Sequence, residues 1–140
     1  LFAGGQGHYL SNRGERDSRL EPGIHGLSNH RLDTPWPKLV TARERFASSL
    51  GDGAVSFDEL FGLLSDRQQP PAEKLPRTGV PEEWEQLLSA AFIVHPAYGT
   101  RASTVLAIEH AGRVRFEERR FDPDGRAAGS ARFEFDISDA

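Results

Sequence analysis

The chain has 140 residues, 37% hydrophobic and 27% charged, enough for one domain with a genuine core. A net charge of −4, with both signs mixed along the chain, leaves no basic stripe of the kind nucleic-acid binding requires. No apolar run approaches the roughly 20 residues of a membrane-spanning helix. Zero cysteines exclude disulfides and zinc–thiolate sites within these residues. The chain opens on Leu1-Phe2-Ala3-Gly4-Gly5, with neither methionine nor a signal-peptide pattern, and is expected to be part of a longer protein.

The first thirty residues are rich in Gly, Asn, Ser and Arg, with short strands expected at His8–Ser11 and Ile24–Ser28. Asp33-Thr34-Pro35 reads as a helix start, with Thr34 as cap and Pro35 in the first turn. Leu39, Ala42, Phe46 and Leu50 then form one apolar face, and Gly51 and Gly53 end the helix. Ser56 and Glu59 have capping-box spacing ahead of a second helix that buries Phe57, Leu60, Phe61 and Leu64. Asp66–Val80, with three prolines, reads as a loop. Pro81 opens a third helix, with Glu82, Glu83 and Glu85 at its positive end and Trp84, Leu87, Leu88 and Ala91 as its apolar stripe.

Beyond Ala91 the period changes to that of strands. Phe92–Val94 is a short strand candidate, followed by a turn at His95–Gly99. Ala102–His110 is apolar on both faces and is therefore expected to be buried between two layers. Ala111-Gly112 and Asp122–Gly125 are turns. Arg113–Phe121 directs Val114 and Phe116 inward, and Arg115, Glu117 and Arg119 outward. Ala131–Ile137 sets Ala131, Phe133, Phe135 and Ile137 against Arg132, Glu134 and Asp136. The expected class is α+β: a single domain over 1–140, with about three helices and an antiparallel β-meander. A second sheet would have to come from the N-terminal part of the same protein or from another protomer.

Four stretches carry a resemblance: PGIHGLSNHRLDTPWPK from Pro22 to Lys38, GVPEEWEQLLS from Gly79 to Ser89, YGTRASTVL from Tyr98 to Leu106, and ERRFDPDG from Glu118 to Gly125. Together they resemble the NRDE-motif family, whose eukaryotic members are the transport-and-Golgi-organisation proteins of the second type. The resemblance implies an N-terminal-nucleophile-hydrolase-like αββα sandwich, of which this chain is the C-terminal portion. It also implies handling of haem or an acyl lipid, a small amphipathic ligand, in a cytoplasmic setting. Haem would be cargo, with no cofactor resident in the chain.

The alternative is an amidohydrolase acting on a non-peptide C–N bond through an N-terminal cysteine. The family's name-giving motif and that cysteine are absent here, and Asn12-Arg13-Gly14-Glu15 is only an echo. A chain beginning with Leu1 has no nucleophile and is expected to be inactive by itself.

By analogy with related amidases, Asn29 is a candidate oxyanion donor, against an ordinary turn-forming asparagine. Arg101, at a strand end, suits a carboxylate or phosphate, or an ion pair with the family's acidic motif. Tyr98, Thr100 and Ser103 flank it as candidate ligand contacts. Trp36 can stack on a planar ligand and Lys38 can meet an anion, and His25 and Asp33 are further candidate ligand contacts. The five histidines lack metal-ligand spacing, so no metal site is expected. No GxSxG elbow or GK[ST] phosphate loop occurs.

Overall fold

The computed structural model describes residues 2–3, 6–12, 18–51 and 55–137. Three short strands, β1 (Phe2–Ala3), β2 (Gln6–Tyr9) and β3 (Ser18–Arg19), form a small antiparallel sheet in that order. Helices α1 (Pro37–Ser49), α2 (Phe57–Leu64) and α3 (Glu82–Leu88) follow, with a 3₁₀ turn at Ala72–Lys74. The chain then forms an antiparallel meander of β4 (Ala102–Ile108), β5 (Arg113–Phe121) and β6 (Ala127–Asp136). The α+β class with three helices and a three-stranded meander therefore stands. No described helix is long and apolar enough to cross a membrane.

Helix α1 begins two residues later than the Thr34-Pro35 reading places it. Pro37 disfavours helical backbone at the residue before it, and Trp36 is accordingly extended (φ −67°, ψ 142°) and serves as N-cap. The Thr34 hydroxyl turns back and donates to the Arg31 carbonyl at 2.8 Å. The helix stops at Ser49, where the Leu50 N–H bonds the Ala47 carbonyl; Gly51 lies just beyond, and Gly53 is outside the described residues. Ser56 is the N-cap of α2, without a side-chain cap hydrogen bond.

Two expected strands are loops. In Ile24–Ser28, the Gly26 N–H and carbonyl are both taken by Asp33, through its carboxylate and its own N–H, each at 2.8 Å. Asp33 holds the left-handed conformation (φ 55°), and Gly26 is buried so close to α1 that a Cβ there would lie 2.7 Å from Leu39 Cγ. Phe92–Val94 is also irregular. The Ile93 N–H donates to the Thr100 hydroxyl at 3.0 Å, and the Thr100 N–H returns to the Ile93 carbonyl at 2.9 Å, closing the turn locally. Phe92 packs edge-on against Phe121, ring centroids 4.7 Å apart.

The meander corrects the expected burial in two ways. Val105 is 6% exposed whereas Leu106 is 56% exposed, so β4 is covered on one face and open on the other, not sandwiched. The covered face is moreover the charged one. Arg115 lies over the Phe57 ring and Arg119 over the Phe61 ring of α2, and Glu117 is buried between Arg119 and Arg132. The strand alternation divides the residues as expected, but Leu106, Ile108, Phe133, Phe135 and Ile137 face outward. Helix α2 packs on the face of Arg115 and Arg119, and their long stems supply the apolar surface that meets its rings. β6 starts before the expected Ala131, because a register shift at Arg120/Phe121 opposite Gly129 (φ 132°) lets pairing continue to Ala127.

Candidate functional site

The loop before α1, the start of α1, the residues around α3 and the His95–Gly99 turn meet around a cavity of about 250 Å³. Asn29 comes from the loop, Trp36 and Lys38 from the helix start, Glu85 from α3 and Tyr98 from the turn. Val80, Leu88 and Ile93 supply apolar wall. The Lys38 ammonium donates to the Leu88 carbonyl at 2.7 Å and lies 5.9 Å from the Trp36 ring centroid. Half-buried, Lys38 has its pKa pushed down by desolvation.

Glu85, 7% exposed, accepts the Thr78 N–H at 2.5 Å and the Thr78 hydroxyl at 2.6 Å. Among the described residues, neither the Asn29 amide nor the Tyr98 hydroxyl makes a hydrogen bond. A shallower groove of about 570 Å³ shares Asn29, Trp36 and Thr78 with the cavity and adds His30, Lys74 and Arg77. Such a site, with apolar walls, an aromatic face and a few convergent donors, suits a small amphipathic molecule.

The other candidate residues lie elsewhere. The Arg101 guanidinium turns towards the Asp122 carbonyl at 3.3 Å and sits beside Gly99; it does not line this cavity. The Thr100 hydroxyl accepts the Ile93 N–H, and Ser103 is buried in β4. Among the described residues no group of three or more histidines and carboxylates is placed to hold a metal.

His25 and Asp33 form a clasp behind the loop that presents Asn29. His25 Nδ1 lies 2.8 Å from Asp33 Oδ2 and Nε2 lies 2.9 Å from the Glu21 carbonyl, while Arg43 reaches Asp33 Oδ1 at 3.1 Å. Both partners of the imidazole are acceptors, so both ring nitrogens donate and the clasp requires imidazolium. The Asp33 hydrogen bond, then the Glu21 carbonyl, raise the His25 pKa; the His25 hydrogen bond, then the Gly26 N–H, lower that of Asp33.

The raised histidine contributes stability that is complete below its unfolded pKa and lost as pH rises through its folded value. The depressed aspartate contributes stability that is complete above its unfolded pKa and lost as pH falls through its folded value. The difference in urea midpoint between wild type and His25→Gln should therefore be widest in mildly acidic solution and should close towards alkaline pH. A difference that stays constant with pH would dismiss the clasp.

Sequence reasoning placed Trp36 and Lys38 side by side but missed Glu85 and Thr78. In the sequence alone, Glu85 stands out only as a charge at a helix N-terminus. Its spacing of three and four from Leu88 and Ser89 was the available sign that it shares their face.

The family model described as Transport and Golgi organisation 2 matches residues 3–123. Over 121 residues the chain is 39% identical to the Transport and Golgi organization protein 2 homolog of Bos taurus. It is 32% identical to the Homo sapiens protein of the same name and 33% identical to the Mus musculus homolog, each over 120 residues. Each match covers 79% of this chain and 44% of the relative, so the chain spans less than half the length of these proteins. With the matched region taking in the cavity from Asn29 to Tyr98 and most of the meander, the chain belongs to the Transport and Golgi organisation 2 family.

Proposed function

We propose that this chain contributes the ligand site of a protein that holds an amphipathic anion of the haem or acyl-lipid type without transforming it. The observation that carries this reading is the cavity beside Trp36, where a lysine without a carboxylate partner among the described residues adjoins an aromatic ring and apolar walls. The Asn29 amide and Tyr98 hydroxyl, unengaged among the described residues, add donors for an anionic head, and the adjoining groove adds two further cations without an acid in its lining.

The same reading places the chain in an N-terminal-nucleophile-like αββα sandwich. A second sheet, supplied by the family's remaining length, would lie on the outward apolar face of Leu106, Phe133 and Phe135. The test is calorimetric titration of the full-length protein with haemin and with a long-chain fatty acid. Saturable binding of at least one probe is expected, weakened about tenfold by Trp36→Ala, as for the loss of roughly 1.4 kcal/mol of contact. Absence of saturable binding, or equal affinity in the variant, would overturn the assignment.

A further inference from the structure

The cavity and the groove outside it carry cations in different places, and this decides which end of a ligand goes in first. Lys38 lies within the cavity wall, whereas Lys74 and Arg77 line only the outer groove. Of the three N–H donors of the Lys38 ammonium, one is used by the Leu88 carbonyl, and Lys38 forms no ion pair among the described residues. A desolvated cation without a counter-ion is costly, and an incoming carboxylate relieves that cost.

Glu85 limits what can relieve it. Its carboxylate is on the same cavity wall, fixed by two donors from Thr78, so it cannot swing away from a second negative charge. Trp36, beside Lys38, and Tyr98 give the cavity aromatic surface for a flat apolar body.

Resting on the ligand-holding reading above, we infer that Lys38 reads the charge of the ligand inside the cavity, selecting ligands that present a single carboxylate to it ahead of an apolar body and so enter acid-first. A rigid dianion that must bring its second carboxylate inside the cavity meets Glu85, and neutral analogues forgo the lysine. Lys74 and Arg77 do not set this preference.

The experiment is calorimetry on the full-length protein with three probes of one ring system: 2-naphthoate, 2-naphthamide and naphthalene-2,6-dicarboxylate. The wild type should bind naphthoate about tenfold or more tightly than either of the others, the margin of one well-placed charge-assisted contact. Lys38→Gln should bring acid and amide level, while Lys38→Arg should retain the preference. The double variant Lys74→Gln/Arg77→Gln should also retain it.

Equal wild-type affinity for acid and amide would overturn the inference, a comparison that needs no variant to fold. So would a preference that survives Lys38→Gln and disappears in the outer double variant. Should haemin or the fatty acid bind while naphthoate does not, the acid-first inference fails and the ligand-holding reading stands. Failure of every probe removes both.

Discussion

Replacing Glu117 with alanine is expected to destabilise the chain by about 3 kcal/mol, the lower end of what breaking a buried ion pair costs. Glu117 is 3% exposed, and it accepts from Arg119 Nε and Arg132 Nε, each at 2.9 Å. Its loss leaves Arg119 under α2 with Asp58 as its one remaining acidic partner among the described residues. The lower figure follows because the Arg132 side chain is 70% exposed and regains water on its own. Urea denaturation measures the effect, and a cost below about 1 kcal/mol would show that the Arg119–Glu117–Arg132 chain is effectively solvated. The Arg119 hydrogen bond, more than that of Arg132, holds the Glu117 carboxyl below its usual range. A depressed pKa makes this contribution complete above the ordinary glutamate value and removes it as pH falls through the folded value. The wild-type advantage over Glu117→Ala should therefore shrink in acid.

Phe61→Ala is expected to cost about 3–4 kcal/mol, the usual range for truncating a buried phenylalanine. Phe61 is 3% exposed, and the Arg119 guanidinium carbon lies 3.9 Å from its ring centroid. The substitution removes both the filling between α2 and the sheet and the aromatic face on which that guanidinium rests. The informative comparison is Phe133, 58% exposed on the other face of the same sheet. In the isolated residues 1–140, Phe133→Ser should change stability by no more than about 0.5 kcal/mol. In the full-length protein, where a second sheet is proposed to cover it, the cost should rise towards that of Phe61. Equal urea midpoints for the two variants in the isolated chain would contradict the open face described above.

Much of the local structure could be read from residue order alone. The three helices follow from apolar residues at intervals of three and four, and β5 begins and ends where its alternation does. The turns at Gly112 and Gly125 fall where positive φ is needed, at 86° and 72°. The failures were also local in origin. Pro37 restricts Trp36 and delays α1, and the Asp33 side chain takes the Gly26 amide that a strand would have needed. For the cavity, the sequence indicated Asn29, Trp36 and Tyr98 separately, while the apposition of Lys38 with Leu88, fifty positions later, brought α3 and Glu85 to them.

The order of residues along β4, β5 and β6 set which side chains share a face, because strand backbones alternate with period two. Nothing in that period says which face α2 will cover. That choice came from packing: the aromatic rings of α2 found the guanidinium stems of Arg115 and Arg119, and the carboxylate of Glu117 neutralised the charge drawn in with them. Leu106, Ile108, Phe133, Phe135 and Ile137 were thereby left exposed on the face away from α2, with Val114 buried among its neighbours there, while Val105 stays on the covered face.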